Sequence, residues 1–203
     1  FLRLAKKHRV PAFIDCASDV PPVENLFRYI EMGFELVTFS GGKAISGPQS
    51  AGLLYGRKDL IEAARLNHSP HQSIGRGMKV NKEEIIGMMV ALEVYLKKDH
   101  TRERGEWERG LESIAASLSK IPSVVTERYV PEIANHVPHL RIRWDEQVVK
   151  LSPAEAVRKL REGEPSIEVL GGKDSITCNM FMLQPREVAI VARRTQEILR
   201  AAV

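Results

Sequence analysis

The sequence has few cysteines, with Cys16 and Cys178 the two among 203 residues. Two cysteines cannot supply a framework of several disulfides or a four-cysteine zinc site. Free thiols at this low frequency fit a reducing compartment, so we expect a cytoplasmic location.

Long hydrophobic runs and a strong excess of one charge are also missing. No apolar run approaches the roughly 20 residues of a membrane-spanning helix, so we expect no membrane partner. The net charge is only +4, from 30 basic and 26 acidic residues. The basic residues are scattered, usually beside acids, which is typical of solvated helix faces rather than of a nucleic-acid-binding stripe.

What remains is an ordinary globular composition, with 43% hydrophobic and 28% charged residues, and such a chain can bury a sizeable core. Residues 10–15 and 34–39 are short apolar runs that predict buried strands. Residues 21–33 between them have prolines at the start, one apolar face and a terminal glycine, which predicts a helix. The order strand–helix–strand predicts an α/β fold with a parallel sheet, and residues 50–56 are a candidate third strand.

The sequence of the remaining chain predicts a long helix, followed by a mixture of short strands and helices. Asn81 and Glu84 form a capping-box pattern, and helical character continues to about residue 118 with a break near residue 99. One face of this helix is predicted to be apolar and buried: Ile85, Met88, Met89, Leu92, Tyr95 and Leu96. Strands are predicted at residues 123–130, 137–144, 166–170 and 175–183, with helices at 152–163 and 184–202. We therefore predict two domains, residues 1–105 and a small α+β domain of residues 106–203.

The segment "SGGKAISGPQ", residues 40–49, presents a lysine in a turn rich in glycine. A phosphate-binding P-loop is excluded, because that motif needs an earlier glycine and a Ser or Thr after the lysine, where this chain has Ala44. The "GGKD" segment at residues 171–174 fails the same test and predicts a hairpin turn. Schiff-base chemistry is the remaining specialised role for Lys43, and an ordinary loop lysine is the alternative.

An acid is found where Schiff-base chemistry with pyridoxal phosphate would need one. The cofactor requires a lysine for attachment and an acidic partner for its pyridine nitrogen. Asp15 ends the predicted strand that precedes the Lys43 strand. Because neighbouring parallel strands end at the same crevice, the two side chains are predicted to face one site. Asp15 could otherwise be a strand-end cap, and Ser40 a plain turn serine.

These segments resemble pyridoxal phosphate enzymes of fold type I. The resemblance is carried by "DCA" at residues 15–17 and by "TFSGGKAISGPQSAGLLYGRKDLI" at residues 38–61. The sequence of these segments is most similar to that of the L-seryl-tRNA(Sec) selenium transferase-like group, which includes ammonia-lyases such as those acting on D-glucosaminate 6-phosphate. "GRGMKVNKEEIIGMMVALE" and "VAIVARRTQEIL" also look like that group, so the similarity extends over most of the chain.

The resemblance implies that Lys43 is the Schiff-base lysine, Asp15 the pyridinium partner and Ser40 a contact to the phosphate of pyridoxal 5'-phosphate. It also implies a homo-oligomer with shared active sites. The group's upstream half, with a glycine-rich phosphate cup and the ring-stacking residue, has no counterpart, so we expect an N-terminally truncated piece. The chain would comprise the later part of the large domain and the small C-terminal domain.

The loop at residues 67–80 is long and carries further candidates. Arg76 lies between two glycines and could bind a carboxylate or phosphate, and a solvated loop arginine is the alternative. His68 and His71 lack a third ligand nearby, so no metal site is predicted. A substrate contact or a surface position is the expectation for His68.

The reaction predicted is a lyase-type elimination on a small anionic amino compound. The segment at residues 175–183 contains no arginine of the kind that aminotransferases use for an α-carboxylate. Gly42 stands where an acidic residue is expected in true selenium transferases, which argues against seryl-tRNA as the substrate. A transferase acting on seryl-tRNA, or a non-catalytic binding protein on the same fold, are the alternatives.

Overall fold

The first half of the chain is built around a three-stranded sheet in a computed structural model that describes residues 1–203. Its elements are α1 (Leu2–His8), β1 (Phe13–Asp15), α2 (Asn25–Met32), β2 (Leu36–Ser40), β3 (Gly52–Gly56), α3 (Lys58–Leu66) and α4 (Lys82–Lys97). Strands β1 and β2 are parallel, and β3 pairs with β2 in the antiparallel sense. The predicted strand–helix–strand unit and the third strand are confirmed.

Strand β1 begins later than predicted. At Ala12 the backbone N–H is bonded to the side chain of Glu35 instead of to a neighbouring strand. The backbone N–H of Ala12 donates to a carboxylate oxygen of Glu35 at 2.6 Å. The Ala12 carbonyl accepts from the N–H groups of both Glu35 and Leu36. The ladder therefore begins at Phe13, three residues after the predicted start.

Helix α2 packs on one face of this sheet through aromatic contacts. The ring of Tyr29 lies 6.4 Å from that of Phe39 on β2, and Phe39 stacks on Tyr55 of β3 with ring centroids 6.4 Å apart. The helix ends at Gly33, whose φ of 104° is readily available to glycine. The Tyr29–Phe39 contact thus packs α2 against β2.

Helix α4 begins with the predicted capping box, and the Glu84 carboxylate accepts from the Asn81 N–H at 2.8 Å. The predicted break is confirmed, because α4 ends at Lys97 and α5 begins at His100. The predicted buried face is only partly right. Met88 and Tyr95 are buried, whereas Met89 is 62% exposed. The reason is that α4 carries apolar residues on all of its sides, and only one side packs within this chain.

The second half forms a four-stranded antiparallel sheet in the order β4–β5–β7–β6. Its elements are α5 (His100–Leu118), β4 (Val125–Tyr129), β5 (His139–Arg143), α6 (Pro153–Arg161), β6 (Leu170–Gly171), β7 (Ser175–Asn179) and α7 (Val188–Arg200). The predicted strand at residues 166–170 is reduced to β6. Ile167 and Val169 are instead buried in the core without strand pairing, so their apolar character reflects side-chain burial.

The chain divides into two compact units, one of residues 1–100 and 133–136, the other of residues 101–132 and 137–203. The predicted boundary at residue 105 falls inside α5. The second unit has a continuous core of buried side chains from its strands and all three of its helices. No helix in the structure is long and apolar enough to cross a membrane.

Truncation of Leu111 tests the core of the second unit. This side chain has no exposed surface, so Leu111→Ala is expected to lower the free energy of unfolding by about 2–5 kcal/mol. Both tryptophans of the chain, Trp107 and Trp144, lie in this core. Tryptophan fluorescence in a urea titration therefore reports the unfolding of this unit.

Leu170→Ala is the matched control, because Leu170 is 57% exposed on β6. A surface truncation of this kind is expected to change stability by about 0.5 kcal/mol or less. Equal losses in the two variants would contradict the assignment of Leu111 to the core.

Candidate functional site

Asp15 and Ser40 end two neighbouring parallel strands on the same face of the sheet. Asp15 pairs with Thr38 in the β1–β2 register, and Ser40 follows two residues later on β2. Side chains two residues apart on a strand point the same way. The carboxylate of Asp15 and the half-buried hydroxyl of Ser40 therefore lie at the carboxyl edge of this sheet, where ligands bind in open α/β folds.

The turn after Ser40 folds so tightly that its glycines leave no room for side chains. A Cβ on Gly41 would lie 2.6 Å from the carbonyl oxygen of Ala51, and one on Gly42 would lie 2.7 Å from the Cα of Gln49. The Gly41 N–H donates to Ala51 O at 3.0 Å, and the Gln49 amide donates to Gly42 O at 3.0 Å. This folding fixes the backbone from which Lys43 projects.

The amine of Lys43 donates to the hydroxyl oxygen of Ser18 at 2.7 Å, across 25 residues of sequence. Ser18 belongs to the turn that leaves β1, and in that turn the Ala17 N–H donates to the Asp15 carboxylate at 2.9 Å. One turn therefore contacts both the predicted lysine and the predicted acid. The structure brings Asp15, Ser40 and Lys43 to one edge of the sheet.

A buried thiol and a buried phenol lie behind this edge. Cys16 has no exposed surface, and burial, together with the negative charge of Asp19, raises the pKa of its thiol to about 12. Burial also raises the pKa of Tyr29. The hydrogen bond that its hydroxyl donates to Asp19 at 2.6 Å is the next largest cause of this rise. Both groups stay protonated near neutral pH, so neither supplies a nucleophile.

Helix α4 also supports the turn of residues 40–49 that carries Lys43, here called the lysine turn. The hydroxyl of Ser50 donates to the Glu84 carboxylate, which also caps α4 at Asn81. The thioether of Met88 lies against Gly41 and Gly47, where it closes the space beside the turn. The Glu84 carboxylate thus caps the helix and also holds the segment that follows the lysine.

His68 and Arg76 lie in the loop between α3 and α4, and their hydrogen bonds go to that loop and to the end of α3. Arg76 donates to the Ser69 hydroxyl at 3.3 Å, and the backbone of His68 bridges that of Gly75. His68 also lines a cavity of about 360 Å³ together with Ala51 and with residues of β3 and α4. Their role at the site remains a prediction.

Ser18 and Gln49 are site residues that the sequence patterns do not identify. Each acts through a contact to the lysine turn, Ser18 to the amine and Gln49 to the Gly42 carbonyl. The available signal for Ser18 is its place three residues after Asp15, in a small polar turn at a strand end. Such a turn is common, so the sequence alone gives it little specificity.

Known proteins resemble this chain along most of its length. The family model described as SelA: L-seryl-tRNA selenium transferase matches residues 14–125. The D-glucosaminate-6-phosphate ammonia lyase of Salmonella typhimurium is 28% identical, and the match covers 100% of this chain and 52% of that protein. The 5'-C-glycyluridine monooxygenase-decarboxylase of a Streptomyces species is 28% identical over 97% of this chain and 48% of that protein.

A solved structure of D-glucosaminate-6-phosphate ammonia-lyase superposes with a TM-score of 0.78 at 26% identity, covering 100% of this chain and 52% of that one. The chain thus spans about half the length of the relatives it matches. The predicted fold is confirmed, because the mixed helix and sheet arrangement matches that of fold type I pyridoxal phosphate enzymes. The family model extends over more than half of the chain, from β1 through the lysine turn to β4. The chain therefore belongs to the L-seryl-tRNA selenium transferase family.

Proposed function

We propose that the protein is a pyridoxal phosphate-dependent enzyme that carries out a lyase-type elimination on a small anionic amino compound. The observation that carries this proposal is the Lys43 amine at the carboxyl edge of the sheet, hydrogen-bonded to the turn that holds Asp15. The lyase relative, which matches this chain over its entire length, favours elimination within the family.

The residues at the sheet edge fit the cofactor. The exposed amine of Lys43 can attach its aldehyde, the Asp15 carboxylate can pair with its pyridine nitrogen, and Ser40 can donate a hydrogen bond to its phosphate. Pyridoxal phosphate, when bound, would supply an electron sink for negative charge at the substrate Cα.

The remaining chemistry falls to the chain's own residues. Once the substrate's own amine has displaced it, the Lys43 amine would take the proton from the substrate Cα, as a general base beside the reacting atom. The bond to the substituent on the neighbouring carbon then breaks, and that substituent leaves with the bonding electron pair. Water completes the sequence by converting the unsaturated amine to a keto acid and ammonia. Arg76 and His68 are the proposed contacts to an anionic group of the substrate.

A small substrate is favoured over a transfer RNA by the state of the basic side chains. Many arginines are engaged by carboxylates, as in the pairs Arg57–Asp59, Arg65–Glu62 and Arg161–Glu168, with N–O distances of 2.5–2.7 Å. Transfer RNA binding draws on many unpaired cations facing phosphates. Seryl-tRNA selenium transfer, the reaction in the family's description, is therefore the second candidate.

We also propose that the protein works in the cytoplasm as a homo-oligomer with shared active sites. The support for association is an exposed apolar surface on α4 that includes Ile86, Met89, Val90 and Val94, each more than half exposed. Contiguous apolar surface of this kind usually marks an interaction site.

Borohydride trapping tests the role of Lys43. The protein at its natural full length is mixed with pyridoxal phosphate, reduced and digested, and the pyridoxyl label is located by mass spectrometry. We expect the label on Lys43, because its amine is held at the edge where the cofactor's other contacts converge. Lys43→Ala should abolish the label, while Lys58→Ala, which alters an exposed lysine on α3, should keep it. A label that persists in Lys43→Ala would disprove the assignment.

Asp15→Asn tests the pairing with the pyridine nitrogen. The variant should retain cofactor but lose turnover by on the order of 100-fold, about 2.7 kcal/mol of barrier, because a neutral pyridine is a poorer electron sink. Asp59→Asn is the control, since Asp59 is an exposed carboxylate that pairs with Arg57. Steady-state rates and cofactor content are measured for both, and wild-type turnover in Asp15→Asn would remove this role.

A substrate panel decides between the candidate reactions. Phosphorylated amino sugar acids and β-substituted amino acids are assayed for ammonia and keto acid, and we expect release from at least one anionic member. Seryl-tRNA with selenophosphate is assayed for selenocysteinyl-tRNA, and a uridine-linked amino acid is assayed for oxygen uptake. Activity in either of these arms, without ammonia or keto acid from the first, would contradict the lyase proposal. Cofactor binding without turnover across the panel would favour a non-catalytic protein.

A further inference from the structure

The turn that leaves β1 places Ser18 at the only hydrogen bond formed by the Lys43 amine. The Cys16 N–H donates to Thr38 O at 2.9 Å and ties the start of the turn to β2. The Asp19 N–H donates back to the Cys16 carbonyl at 3.0 Å and closes the turn. Ser18 is half-buried between these two contacts, and its hydroxyl oxygen accepts from Lys43 at 2.7 Å.

Helix α2 anchors the residue that follows Ser18 in two ways. The Tyr29 hydroxyl donates to the Asp19 carboxylate at 2.6 Å, and the Asn25 side-chain amide donates to the Asp19 carbonyl at 2.6 Å. Asn25 and Tyr29 are four residues apart, so they share one face of the helix. Asn25 is buried with 4% of its surface exposed, so this contact is shielded from competing water.

We propose that Ser18 is a positioning residue for the Lys43 amine, and that Asp19, Tyr29 and Asn25 hold Ser18 in place. The inference rests on the proposed function only in taking Lys43 as the cofactor-binding lysine. A lysine side chain has four rotatable bonds and loses considerable freedom when it is fixed. A hydroxyl held by α2 at the strand end keeps the amine at the edge it shares with Asp15, instead of extended into solvent.

The test compares two reactivities of Lys43 that positioning changes in opposite directions. Trace acetylation with acetic anhydride in cofactor-free protein reports how free the amine is, expressed relative to Lys58. The rate of borohydride-trapped pyridoxal phosphate reports how well the amine is placed. In Ser18→Ala, acetylation of Lys43 should rise and trapping should fall, each by about fivefold, as expected for the loss of one hydrogen bond. Ser18→Thr, which keeps a hydroxyl, should restore both rates.

Tyr29→Phe tests the anchor, with Tyr55→Phe as its matched control. Both remove a half-buried hydroxyl from the same unit, but the Tyr55 hydroxyl donates to Leu26 O at 2.5 Å and does not contact Asp19. Tyr29→Phe should shift both Lys43 rates in the direction of Ser18→Ala, by a smaller factor, whereas Tyr55→Phe should leave them at the wild-type values. Thermal melting of each variant identifies a general loss of structure.

The outcomes separate this inference from the proposed function. Wild-type acetylation and trapping in Ser18→Ala would overturn the positioning role, and equal behaviour of the two tyrosine variants would overturn the anchor. A wild-type protein with no pyridoxyl label on Lys43 would instead overturn the proposed function. The acetylation ratio in cofactor-free protein would still decide whether Ser18 holds the amine.

Discussion

The connection from β2 to β3 folds back so closely that its first two residues have no space for a side chain. Gly41 approaches the backbone of Ala51, Gly42 approaches that of Gln49, and the Gly47 N–H closes the loop on Gly41 O at 2.8 Å. Any larger residue would push the loop away from the strand ends. The position of Lys43, and with it the distance to Ser18, depends on this close approach.

The same turn is held from two independent directions. Ser50 and Met88 connect it to α4, while Ser18 connects the lysine amine to the turn anchored by α2. Because α2 itself packs on the sheet through Tyr29 and Phe39, the contacts that stabilise the first unit also define the site. Substitution of Tyr29, which also donates to Asp19, should therefore affect chemistry as well as stability.

The sequence predicts the parts of this site that follow from strand order. The apolar runs predict β1 and β2, and parallel pairing then brings Asp15 and Ser40 to one edge. Contacts such as Ser18 to Lys43 join residues 25 apart, and no local pattern encodes them. Burial is also only partly predictable from the sequence. The apolar run of α4 predicts a buried face but cannot show that Met89 remains exposed. Hydrophobic periodicity identifies an apolar surface without identifying what covers it.

The chemical environment of the edge is consistent with the nucleophilic role proposed for Lys43. Cys16 follows Asp15 directly, and a thiolate in that position would compete for an electrophilic ligand. Complete burial and the neighbouring Asp19 carboxylate raise the pKa of the thiol to about 12, so the thiolate is scarce near neutral pH. The Lys43 amine is exposed, and it donates a hydrogen bond to the Ser18 hydroxyl. Burial, and after it the charge of Asp19, thus keeps the thiol protonated. Asp19 also fixes, through its contacts with α2, the turn that presents Ser18 to the amine.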